Sequence, residues 1–189
     1  MVEPMLIDLK AILIEREDCD AGTVQKIREA LAQGKTQYRT LRDVTDVLKK
    51  RAEAASGAAA KRWHLKLGIA FFFLGHLGEA VEHLKQAEGA LAGFYLGRAL
   101  VERADYDEAL KAFDKAEKAG YTASQVQLQR AGIYRNQGDI AHARQILHKM
   151  GDQASHNAEF HFQTACCLLA EGDRGAAGSF PIGNARFVI

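Results

Sequence analysis

One spacing occurs four times in this chain: a small residue, a turn residue seven places on, and an alanine five places beyond that. The sets are Gly68/Gly75/Ala80, Gly97/Ala104/Ala109, Ala131/Gly138/Ala143 and Ala165/Gly172/Ala177. Ala109, Ala143 and Ala177 recur at intervals of 34 residues. A fixed period of this size predicts stacked helical hairpins, each burying its apolar face on its neighbours. The expected fold class is therefore all-α, a solenoid of helical hairpins. Such stacks present long concave surfaces, which points the function towards binding.

The residues around the spacing carry more. Leu67-Gly68-x2-Phe71 leads to Ala80-x3-Leu84, and Leu96-Gly97-x2-Leu100 leads to Ala109-x3-Phe113. Arg130-Ala131-x2-Tyr134 leads to Ala143-x3-Leu147, and Thr164-Ala165-x2-Leu168 leads to Ala177, where the pattern stops. This resembles the tetratricopeptide repeat family, whose pattern is W-x2-L-G-x2-Y followed by A-x3-F. The resemblance covers about two thirds of the chain. It implies a right-handed α-α superhelix. Small residues let the two helices of a hairpin approach closely, and glycine suits the tight turn between them.

There are departures. The family's tryptophan position holds His64, Gly93, Gln127 and His161, with Trp63 one place off. The first interval, Ala80 to Ala109, is 29 residues rather than 34, and the shortfall falls between Ala87 and Phe94. Pro181 sits where the fourth repeat's second helix would continue, and a proline inside a helix costs about 3 kcal/mol. The chain thus divides into an N-terminal helical cap or arm over 1–57, repeats over 58–177 and an irregular tail over 178–189. The repeats run over about 61–89, 90–123, 124–157 and an incomplete 158–177. Phe160, Leu168 and Leu169 need cover in the last of these, either from the tail or from another molecule. A longer natural array is the other reading of the broken fourth repeat.

Upstream, residues 5–15 carry both a helical stripe (Met5, Leu9, Ile12, Leu13) and a strand stripe (Met5, Ile7, Leu9, Ala11). With no partner strand evident, a helix is expected. Asp18 and Asp20 are candidate caps for a helix over Val24, Ile27 and Leu31 that Gly34 ends. Thr40 with Asp43, Asp105 with Glu108, and Ser124 with Gln127 have capping-box spacing. The stretch Ser56-Gly57-Ala58-Ala59-Ala60 is read as the joint before the repeats.

On each first helix of a hairpin, the side opposite the signature residues follows from 100° per residue. The resemblance implies that this side lines the concave groove and holds a protein or peptide partner. Its candidate residues are Arg62, Lys66, Ile69 and Phe73 in repeat one, and Tyr95 and Arg98 in repeat two. Repeat three adds Gln125, Gln129 and Asn136, and repeat four adds Gln163. The first half mixes apolar surface with cations suited to an acidic group, while the amides of the second half can pair with a peptide backbone. One subgroup of the family clamps a terminal carboxylate with lysine and asparagine. Here those places hold Leu65 and Ile69, so that clamp is not expected.

Composition excludes other classes. Among 189 residues the net charge is +1, which gives no footprint for nucleic acid. No stretch approaches the ~18 apolar residues of a membrane span. The start has no positive leader and reads as no signal peptide. Three cysteines make no disulfide framework, so a cytoplasmic location is expected. His156 and His161 are five apart, which puts them on different helical faces, and no phosphate loop or nucleophile elbow occurs. The chain is thus expected to be no enzyme and to need no cofactor or metal. The alternatives are a self-associating assembly module, forming a homo-oligomer, and a helical-repeat RNA-binding protein.

Overall fold

The computed structural model describes residues 6–151 and 156–173, and every regular element among them is helical. After a single π-helical turn at Ala11–Glu15 come α1 (Ala21–Ala32), α2 (Lys35–Ala54), α3 (Gly57–Phe73), α4 (Leu77–Gln86) and α5 (Ala90–Glu102). They are followed by α6 (Tyr106–Lys118), α7 (Ala123–Asn136), α8 (Ile140–Met150) and α9 (Ala158–Ala170). The chain forms two compact units, Met1–Ala116 and Glu117–Ile189. No helix among the described residues is long and apolar enough to cross a membrane.

The fourfold spacing is realised as one backbone motif. At the end of α3, the His76 amide donates to the Phe71 carbonyl at 3.0 Å and the Gly75 amide to Phe72 at 3.1 Å. The same pair of bonds ends α5 (Asp105 to Leu100, Ala104 to Val101), α7 (Asp139 to Tyr134, Gly138 to Arg135) and α9 (Asp173 to Leu168, Gly172 to Leu169). This is the Schellman arrangement, which satisfies otherwise orphaned carbonyls and needs a left-handed residue at the turn. Three of the four turn residues are glycine; the fourth, Ala104, takes φ 61° despite its Cβ. In the first three hairpins the residue after the turn also starts the next helix: the carbonyls of His76, Asp105 and Asp139 accept from Ala80, Ala109 and Ala143.

The seventh residue before each turn lies where two helices cross. A Cβ added to Gly68 would fall 2.6 Å from Leu84 Cγ, and one on Gly97 would fall 2.6 Å from the Phe113 ring. Ala131 and Ala165 fill the equivalent places and are fully buried, as are Ala80, Ala109 and Ala143. In the second unit Leu128, Ala131, Ala143, Leu147 and Cys167 make the core, with Tyr134, Ile140, Ile146, Met150 and Phe160 packed on it. Phe160 thus has cover, whereas Leu169 is 52% exposed. Ala177, Pro181 and the rest of the tail lie outside the described residues.

First and second helices of a hairpin differ in kind. α4, α6 and α8 each bury one stripe, such as Ala109, Ala112, Phe113 and Ala116 of α6. In α3 the run Lys66–Phe71 is buried without a break, and Phe73 follows. A helix apolar on all sides is surrounded on all sides. The short interval between repeats one and two comes mostly from the second helix: α4 has 10 residues against 13 for α6.

The N-terminal region behaves as its caps demand. The Asp20 side chain accepts from the Thr23 amide at 2.7 Å, and Thr23 Oγ1 accepts from the Asp20 amide at 3.3 Å. That capping box starts α1. Gly34, at φ 122°, turns the chain into α2. Two other expected boxes are not formed. Thr40 lies inside the continuous α2 and its hydroxyl donates to the Thr36 carbonyl. Ser124 is already within α7, whose cap position is Thr122. Residues 9–15 are helical, with the π-helical turn in place of a regular helix, and no strand forms there.

Candidate functional site

The ten side chains expected on an open groove do not share one environment. Lys66, Ile69, Phe73, Tyr95 and Gln163 are buried, Arg98 and Gln129 are partly exposed, and Arg62, Gln125 and Asn136 are exposed. For Lys66, Phe73 and Tyr95 the correction has one cause: segments of the chain's own N-terminal region lie on them, Arg16 at Lys66 and Arg28 of α1 at Phe73 and Tyr95. The missed signal was in the sequence of α3 and α5 themselves, which carry apolar residues all round rather than in one stripe.

Two clusters result in the first unit. The first is a cradle of cations about Trp63. Arg51 of α2 lies over the indole ring at 4.8 Å and Lys66 of α3 at 4.6 Å. Arg51 Nη1 donates to the Ile14 carbonyl at 2.7 Å, and Lys66 Nζ donates to the Arg16 carbonyl. Arg62, one turn before Lys66, pairs with Glu17 at 2.9 Å. The piece of chain held here leaves the π-helical turn in extended form, with Arg16 at φ −72° and ψ 140°. Ile14 is still within that turn and Arg16 is the residue that leaves it, so the two cations take carbonyls at the end of the turn. Burial holds the Lys66 amine below its usual range, and the Arg51 and Arg62 charges push the same way. Burial also pushes the nearby Cys19 thiol up to about 12, so it is a protonated, unreactive thiol at neutral pH.

The second cluster is aromatic. Tyr95 packs edge-on against Phe72 at 5.3 Å and tilts on Phe73 at 6.0 Å. Arg98 stands over Phe72 at 4.8 Å, and Arg28 of α1 over Phe73 at 5.9 Å. Arg28 Nη2 also donates to the Tyr95 hydroxyl at 3.2 Å. Phe73, Tyr95 and Arg98 are thus brought together, but with α1 as their occupant. Ile69 lies in the core with no exposed surface.

In the second unit, Gln163 lies against Gly132, where an added Cβ would be 3.1 Å from its amide nitrogen. Its Oε1 accepts from Arg135 Nε at 3.1 Å and its Nε2 donates to Glu159 at 2.7 Å. Gln163 is therefore committed to its own unit, because a glycine opposite leaves room for the amide to fold inward. Gln125 and Asn136 stand at the two ends of α7 on its exposed surface, with Gln129 half-buried between them.

Among the described residues no three His, Cys, Asp or Glu side chains converge to hold a metal ion. His64 and His83 form a close pair, with Nδ1 atoms 3.0 Å apart across the α3–α4 hairpin. Cys167 is a core residue whose thiol burial pushes upward. No protein-family model matches the chain, and no curated protein matches it in sequence.

Proposed function

We propose that the chain is a non-enzymatic protein-interaction scaffold that holds polypeptide segments on the first-helix side of its hairpins. We also propose that these hairpins stack as a right-handed α-α superhelix of tetratricopeptide type, with a cytoplasmic location. The four identical turns and the small residues at the helix crossings support the stacking. The observation that carries the binding reading is the cradle: Arg51 and Lys66 each donate to a main-chain carbonyl where the chain leaves the π-helical turn, at Ile14 and Arg16. Main-chain recognition by fixed side-chain donors is the chemistry needed to hold a peptide without reading its whole sequence.

The test is a pull-down from the native lysate with quantitative mass spectrometry, comparing wild type with Arg62→Glu/Arg98→Glu. Both residues keep exposed surface, so the double variant should melt like the wild type. Loss of most captured proteins is expected. An unchanged set of partners would place the interaction surface elsewhere or remove the reading.

A further inference from the structure

The piece of chain in the cradle has its own chemistry. Residues 15–20 read Glu-Arg-Glu-Asp-Cys-Asp, four acids to one base. They face Arg51 and Lys66, both over the Trp63 indole, and Arg62, which pairs with Glu17. The match is of charge. Glu15, Arg16, Glu17 and Asp18 leave their side chains exposed, and Cys19 is partly buried. Little apolar surface therefore holds the segment down. Its ion pair, Arg62 with Glu17, is solvent-exposed on both sides, a class that contributes little. What keeps it in place is its tether to the π-helical turn on one side and α1 on the other, which makes its local concentration high.

We propose that residues 14–20 are an internal ligand, and that the cradle of Arg51, Arg62, Trp63 and Lys66 is a docking site for an acidic peptide supplied by another protein. This rests on the interaction reading above and narrows it to one partner chemistry. The incoming peptide offers two carbonyls, one to Arg51 and one to Lys66, and a carboxylate to Arg62. No buried cation is then left without an acceptor during the exchange, because each donor passes from one carbonyl to another or to water. The tether competes with every such partner, so the apparent affinity is the intrinsic one reduced by the fraction of molecules with the cradle vacated.

Two measurements on the full chain test this. The probe is a fluorescein-labelled synthetic peptide copying residues 12–20 with serine in place of the cysteine. In the first, iodoacetamide labelling of Cys19 is followed by peptide-level mass spectrometry as probe is added. Displacement should raise the Cys19 rate saturably, and a lysine-for-acid version of the probe should not. In the second, anisotropy compares wild type with Glu17→Lys/Asp18→Lys, which repels the internal segment from the cradle. The variant should bind the probe about tenfold more tightly, and adding Arg62→Glu should remove that gain. An unchanged Cys19 rate, or equal binding by wild type and Glu17→Lys/Asp18→Lys, overturns the inference. If the probe fails while Arg62→Glu/Arg98→Glu still strips partners in the pull-down, only this inference falls. If those partners survive, the broader reading falls whatever the probe does.

Discussion

The two units use the same hairpin and end with different surfaces. In the first, the side of α3 and α5 away from the hairpin crossing carries Ile69, Phe73 and Tyr95, all buried, with Arg28 of α1 on Phe73 and Tyr95. In the second, the corresponding side of α7 carries Gln125, Gln129 and Asn136 and keeps exposed or half-exposed surface. The hairpin interior is nearly the same in both, a small residue against a large one. The lesson is that the repeat specifies the crossing, while the flanking chain specifies what becomes of the outer face. Apolar residues there demand a cover, and the amides Gln125, Gln129 and Asn136 of α7 do not.

The largest expected effect tests the crossing itself. Phe113→Ala removes a fully buried ring that fills the space left by Gly97 and should cost about 3–5 kcal/mol in urea unfolding. A cost below about 1 kcal/mol would mean that the crossing is loosely packed. Next come the small residues. Gly68→Ala drives a methyl group into Leu84, with the Leu84 amide only 3.2 Å away, and should cost about 1–3 kcal/mol. Gly132→Ala meets only the end of the Gln163 side chain, which can shift, and should cost about 1 kcal/mol or less. Equal costs at the two glycines would break the distinction drawn between the units.

The third expectation has the opposite sign. Ala104 holds a left-handed conformation that glycine holds at the other three turns. A Cβ there costs about 1–2 kcal/mol, and glycine's greater freedom in the unfolded chain returns about 0.4–1 kcal/mol of that. Ala104→Gly should therefore stabilise by roughly 0.5–1 kcal/mol, read as a raised melting temperature. Gly138→Ala should destabilise. A loss of stability with Ala104→Gly would show that this turn is not strained.

The smallest effect is a pH dependence. Burial, and then the neighbouring His64, hold His83 below its ordinary 6.5; Lys49 pushes the same way, while Glu82 and Glu79 oppose. Because the folded value is the depressed one, the unfolded chain binds the extra proton first. The contribution is fully present above about pH 6.5 and is lost as pH falls from there through the folded value. Melting temperature should drop between pH 7.5 and 5, above the range in which most carboxylates titrate. His83→Phe, which keeps the stack on Phe71, should flatten that drop. The α7–α8 hairpin instead stacks His142 on Tyr134 at 4.0 Å, with Asp139 beside it at 3.6 Å.

The interior of this protein was legible in its sequence. Small residues, turn residues and alanines at constant offsets determine where helices cross and where they stop, because close approach and positive φ each admit few residue types. The helical content, the Asp20 cap, the helix that begins after Asn157 and the burial of Ala80, Ala109 and Ala143 follow from local rules. Tertiary structure alone decided the rest. It continued α2 through Thr40, since packing of Leu41, Val44 and Leu48 outweighs a local box. It turned Lys66 inward onto a carbonyl 50 residues away in the chain. It also placed Arg28 on Tyr95, 67 residues away. Those pairings depend on which distant segment covers an apolar face, and helical periodicity records that a face is apolar without recording what lies on it.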